Sequence, residues 1–283
     1  MRPNRASFRG VLGAAGLCVA LALTGCAGAR FRAPADPLLL LGDQAALYAS
    51  IPVAPNRILL SKAAESLKGL GEKDRDSLSG LLDRTERVWV SLSADRSVNA
   101  VLTGDFPRAA AAFVFPESKG WKRVKGPSSL SWYVKGAVSA AIPVSGLACV
   151  TLGSDMGEML RRAEAPAYPP VSEAMASLSA SKGVSDITLS VADPLSVLPL
   201  VLGSDITLPV ERLDGIGRPI DGGSSYAVDL AFTAPDASRA RALATLLRLI
   251  SGTSPETEAN RVTIKTEGTS AETLAGFASF LLF

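Results

Sequence analysis

The chain has 283 residues, of which 47% are hydrophobic and 20% charged. It is too apolar and too weakly charged for a disordered chain, and long enough for one large core or two smaller ones. It contains no histidine, which excludes Ser-His-Asp and Cys-His catalysis, histidine metal ligation and histidine pH switching.

The first residues explain the formal charge of +2. Arg2, Arg5 and Arg9 form a basic start, and residues 11–23 (VLGAAGLCVALAL) form an apolar run too short to span a bilayer as a helix. Together they read as a signal peptide. The run ends in Leu23-Thr24-Gly25-Cys26, which reads as a bacterial lipobox. Residues 1–25 are therefore expected to be removed, and Cys26 to be acylated as the first residue of the mature chain. Without Arg2, Arg5 and Arg9 the chain has 26 basic against 27 acidic residues, so no general attraction to nucleic acid is expected. Each acyl methylene buried in a bilayer contributes about 0.8 kcal/mol, so several acyl chains anchor the protein stably. Cys18 leaves with the signal, and Cys149 remains as the one unmodified thiol, so no intramolecular disulfide forms. Its apolar neighbours favour a small buried residue over a nucleophile.

Residues 26–37 are small, polar and proline-containing, a short tether. The expected elements then follow in order: a strand at 47–53, a helix from Asn56 to about Leu70, a second helix at 76–86, and strands at 88–92 and 100–103. A small apolar helix over 109–115 precedes strands at 131–134, 137–142 and 148–152 and a helix at 155–163. Residues 164–170 (EAPAYPP) hold three prolines, which neither helix nor sheet crosses intact, so the internal boundary is placed there. Beyond it come a helix from Val171 to Leu178, a strand at 187–191, a helix from Pro194, strands near 206–210 and at 226–232, a helix at 238–250, a strand at 262–266 and a helix at 270–283.

The second series echoes the first. Val150-Thr151-Leu152-Gly153-Ser154-Asp155 and Val262-Thr263-Ile264 with the residues after it both run from a β-branched strand through Gly and a hydroxylic residue into a helix. Val101-Leu102-Thr103 before Pro107, and Val228 to Phe232 before Pro235, make a second match. The expected fold is therefore α/β (α+β): two related halves, 38–163 and 171–283, joined by 164–170 and sharing a mixed sheet covered by amphipathic helices.

Three stretches are candidates for contact with a bilayer. Lys119, Lys122, Arg123, Lys125 and Lys135 are interleaved with Trp121, Trp132 and Tyr133, with no acidic residue between 119 and 135. That pattern fits an anionic lipid surface, where each cation contributes about 1 kcal/mol, and equally a solvated hairpin face with core aromatics. In the helix at 238–250, Leu243, Leu246, Leu247 and Ile250 form a stripe opposite Arg241 and Arg248, suited to an interface or to packing on a sheet. The last helix brings Phe277, Phe280, Leu281 and Phe283 close together on more than one side.

A lipobox, about 260 mature residues, two α/β halves and several amphipathic helices together resemble the concealed outer-membrane lipoproteins of treponemes. The resemblance implies an α/β/α body tethered to the periplasmic leaflet of the outer membrane. It implies that amphipathic helices enter and perturb the bilayer, altering its permeability, and that an apolar cavity handles lipid.

Enzymatic patterns fail. Ser179-Ala180-Ser181-Lys182 fits S-x-x-K, but no S-D-N follows and Lys265-Thr266-Glu267 is not K-T-G. Nucleotide-binding glycine loops and the G-x-S-x-G elbow are missing, and Asp74-Arg75-Asp76 lacks the rest of a calcium loop. No catalytic residue, metal or cofactor is expected. The expected partners are membrane lipid and a bound lipid or other apolar ligand, with nucleic acid unexpected. The alternative is an envelope adaptor that binds other periplasmic or outer-membrane proteins.

Overall fold

The computed structural model describes residues 37–66, 79–126, 130–164, 176, 184–202 and 208–282. The signal peptide, the lipobox Leu23-Thr24-Gly25-Cys26, most of the tether, most of the 164–170 linker and the expected helix after Val171 lie outside them.

The centre of the fold is one twelve-stranded sheet. Its strands are β1 Leu47–Pro52, β2 Thr85–Leu92, β3 Val98–Gly104, β4 Lys122–Lys125, β5 Ser131–Lys135, β6 Val138–Val144, β7 Leu147–Leu152, β8 Ile187–Val191, β9 Arg212–Ile220, β10 Ser225–Thr233, β11 Glu256–Glu258 and β12 Arg261–Ser270. The helices are α1 Arg57–Ser66, α2 Ala111–Val114, α3 Met156–Glu164, α4 Pro194–Leu202, α5 Ala237–Ser251 and α6 Ala271–Leu282. The strands lie in the order β11-β12-β10-β9-β8-β1-β2-β3-β7-β6-β5-β4. β1 and β8 pair at the middle, so the strands before residue 164 fill one side of the sheet and those after it the other.

The expected mixed sheet is corrected: every pair is antiparallel. The physical reason is connection length: β6 and β7, β9 and β10, and β11 and β12 follow one another within a few residues, which suffices for antiparallel neighbours but not for the crossover that a parallel pair needs.

One face collects the apolar series and is covered by helices. Val191, Leu213, Phe232, Val262 and Ile264 pack against Val197 of α4 and Leu243 and Leu247 of α5. Tyr226 packs with Leu59 of α1 and Ala271 and Ala275 of α6. The opposite face is covered by α3 and by the 3-10 turn Pro37–Leu40, whose Leu38 and Leu40 are buried with Met156, Met159 and Leu160 of α3. Arg162 of α3 donates to the Leu40 carbonyl at 3.0 Å. The turn is also held by Tyr48, whose hydroxyl donates to Gly42 O and accepts from Ala45 N, both at 3.0 Å. The first residues after the tether are thus part of the core.

Two expected elements are corrected. Residues 208–210 form no strand. The strand of that region is β9, nine residues containing Gly215, Gly217 and Pro219. The glycines read as punctuation in sequence, but both are buried, and a Cβ at Gly215 would lie 3.1 Å from Leu230 and 3.5 Å from Leu189. The helix expected at 76–86 is described as helix only at residues 79–83, because β2 begins at Thr85. Among the described residues no helix is long and apolar enough to cross a membrane.

Candidate functional site

The helix-covered face is apolar throughout but not evenly filled. Its residues fall into separate clusters: one under α4 and α5, one around Tyr226, and one around Leu102, Phe106, Ile142 and Ala148. Between them the registers place Ala49 beside Val90, Val90 beside Ala100, and Ala49 beside Leu189 on the same face. All four are only half-buried although they sit at the centre of the sheet. Ala49 and Leu189 pack on the cluster under α4 and α5, and Ala100 on the cluster around Leu102, so with Val90 they form a partly accessible apolar strip at the centre of the sheet.

One polar group adjoins this face without a partner. Tyr226 is 0% exposed and its hydroxyl makes no hydrogen bond among the described residues. Burial pushes its pKa up to about 12. Cys149 lies on the other face, opposite Val101 and Ala141, and burial raises its thiol to about 12 with Arg162 opposing weakly. It is a buried thiol with no thiolate character at neutral pH.

The basic-aromatic stretch folds as the end of the sheet. β4 is the terminal strand and pairs with β5, with Arg123 opposite Tyr133 and Val124 opposite Trp132. Lys119, Lys122, Arg123, Lys125 and Lys135 are all exposed, Trp121 and Trp132 are half-buried, and Tyr133 is buried. Arg123 donates to Ser131 Oγ at 3.2 Å. Lys119, Lys122 and Lys125 have no acidic partner among the described residues. Phe115, which follows α2, packs edge-on against Trp121 at 4.9 Å and against Tyr133 at 5.1 Å. That anchoring leaves Phe113 85% exposed, with Val114 beside it. Sequence reading missed Phe113, because an apolar four-residue helix between strands reads as buried; the signal was the two phenylalanines at spacing two, which one helix turn cannot turn inward together.

The stripe on α5 is divided by the fold. Leu243 and Leu247 are in the core and form no surface, because the 3.6-residue period aims them at β12 and β10. Leu246 is 41% and Leu249 78% exposed on the outer side with Arg241 and Arg248. Ile250, Phe277, Phe280 and Leu281 belong to helices whose backbone is described while these side chains are not, and Phe283 lies outside the described residues.

An antiparallel sheet with helices on both faces defines an α+β fold. The family model described as "Outer membrane-associated lipoprotein TP0453" matches residues 32–275, and the chain belongs to that family. Membership places it at the outer membrane as a lipoprotein. Outer membrane protein TP0453 of Treponema pallidum (strain Nichols) is 27% identical over 155 residues, covering 53% of this chain and 52% of that one. The alignment thus spans about half the length of that relative. The crystal form I structure of TP0453 superposes with a TM-score of 0.72 and 23% identity over 88% of this chain and 99% of the other. Crystal form III gives 0.72 over 87% and 98%. These likenesses show the shared fold.

Proposed function

We propose that the protein holds one lipid-class apolar molecule between its helix layer and its sheet while anchored at the outer membrane through Cys26. The observation that carries this reading is the half-buried apolar floor at Ala49, Val90, Ala100 and Leu189. A trough opened there as the helices part from the sheet offers an acyl chain apolar contact on both sides, worth about 25 cal/mol for each Å² removed from water. The walls are helices on a sheet, and helix layers packed by side chains alone can part without breaking backbone pairing. The chemistry is binding or transfer, with no bond made or broken.

We infer in addition that the two sides of the sheet are related by duplication. Outward from the central β1·β8 pair the strands run β1-β2-β3-β7 on one side and β8-β9-β10-β12 on the other. A helix lies between the first two strands of each series and another follows the last. The sequence echoes fall on β3 with β10 and β7 with β12, the same positions in each series. The 164–170 segment separates the halves in this reading.

Displacement of a fluorescent fatty acid tests the ligand reading. Wild-type protein is expected to bind the probe and Val90→Trp, which fills the trough, to lose it at unchanged stability. Equal binding by the two would remove the trough as the site, and co-purification of an envelope protein without lipid would favour the adaptor reading.

A further inference from the structure

We infer that two copies of this chain pair by sheet extension, with β11 of one copy adding to β4 of the other. The inference is independent of whether the apolar strip holds a ligand.

The sheet does not close on itself. β4 and β11 are its terminal strands, each with one neighbour, and all of β11 and all of β4 except Val124 are exposed. A terminal strand presents backbone groups that a further strand can take up, and charge along the edge is a common defence. Here the two edges carry opposite charge: Lys122, Arg123 and Lys125 on β4, Glu256 and Glu258 on β11. Like charges set opposite each other on adjacent strands are destabilising, so β4 against β4 and β11 against β11 are both disfavoured. One sign on both edges would block the mixed pairing as well. Opposite signs leave it open.

The topology fixes how the two edges meet. Every neighbouring pair in the sheet is antiparallel, so β11 and β4, the first and last of twelve strands, run in opposite directions. A second copy placed beyond β4 in the same orientation therefore continues the antiparallel order with its faces aligned. Thr257 stands beside Val262, on the face under α5. Arg123 stands beside Tyr133, and the registers from β5 to β1 carry that face to Ala49, which packs on the same cluster. Lys122 lies on the other face, as do Glu256 and Glu258.

Setting Thr257 opposite Arg123 brings Glu258 opposite Lys122 and Glu256 opposite Val124. Setting Thr257 opposite Lys125 instead leaves neither glutamate opposite a cation. Glu256 already pairs with Lys265 of its own chain at 3.1 Å, and Arg123 donates to Ser131 Oγ. Glu258 and Lys122 have no ion pair among the described residues, so theirs is the contact that selects the register.

The mature, acylated protein in mild detergent supplies the test. Cys26 is blocked by its acyl group and Cys149 is buried, so Arg123→Cys and Thr257→Cys each add one accessible thiol for a short bifunctional thiol reagent. Both positions are exposed, and each variant is expected to keep the circular dichroism of the wild type. A mixture of the two variants is expected to give crosslinked dimer, and either variant alone to give none. A chain carrying both changes should give a ladder of larger species, because a contact between unlike edges repeats instead of closing. Lys122→Glu in the Arg123→Cys chain should cut the dimer yield about fivefold, and Glu258→Lys in the Thr257→Cys chain should restore it. Yield should also fall in high salt. Dimer from either variant alone at the yield of the mixture would overturn the inference. So would no dimer from the mixture of folded variants, or a yield indifferent to Lys122→Glu.

Discussion

Two tyrosines of equal burial should respond oppositely to the same substitution. Tyr48 and Tyr226 are both 0% exposed. The Tyr48 hydroxyl bridges Gly42 O and Ala45 N at 3.0 Å each, whereas the Tyr226 hydroxyl has no partner among the described residues. Phenylalanine at 48 keeps the ring but leaves a buried amide and carbonyl unsatisfied, which costs about 1–3 kcal/mol. Phenylalanine at 226 removes a polar group desolvated without compensation, and a gain of about 1 kcal/mol is expected. With a urea slope near 3 kcal/mol per M, the midpoint should fall by about 0.3–1 M for Tyr48→Phe and rise by about 0.3 M for Tyr226→Phe. Urea titration followed by far-UV circular dichroism measures both. Losses of similar size in the two variants would refute the hydrogen-bond assignment, since ring packing is the same in each.

Alkaline pH gives a further check. Burial raises the native pKa of Tyr226 from 10.0, and of Cys149 from 9.0, to about 12 in each case. The native state therefore holds these protons longer than the unfolded chain, and their contribution is complete below about pH 9 and lost as pH rises toward 12. Tyr226→Phe should flatten that decline, and Cys149 should resist thiol reagents until the protein unfolds. Gly104 has φ +152°, and a Cβ there would lie 2.0 Å from Arg84 O. Gly104→Ala should destabilise by more than about 3 kcal/mol in the same urea titration, because the clash is with backbone.

Strands with continuous apolar or β-branched stretches, such as β1, β7, β8 and β10, were legible from local pattern; the cap of α5 was not read. Asp236 accepts from Arg239 N at 2.8 Å, an N-cap of the usual kind. The antiparallel arrangement was not legible, because pairing joins residues as distant as Leu47 and Val191 and local pattern does not report direction. β9 was hidden by Gly215, Gly217 and Pro219, whose turn preferences are overridden by neighbours on both sides. β4 was hidden by its charge. Within the candidate sites, the basic-aromatic cluster was visible because its residues are contiguous. The central apolar strip was not, since Ala49, Val90, Ala100 and Leu189 come from four strands and are ordinary apolar residues one by one. The division of the α5 stripe into buried Leu243 and Leu247 and exposed Leu246 and Leu249 depends on the angle at which the helix meets the sheet, which the sequence does not state.

Native mass spectrometry of the acylated protein, extracted from its own membrane in mild detergent, tests the central claim most directly. The wild type is expected to carry one additional lipid-sized mass beyond the acylated polypeptide, removable by organic extraction, and Val90→Trp is expected to carry none. A wild-type mass equal to the acylated polypeptide alone, in preparations where the fold is intact, would contradict the account.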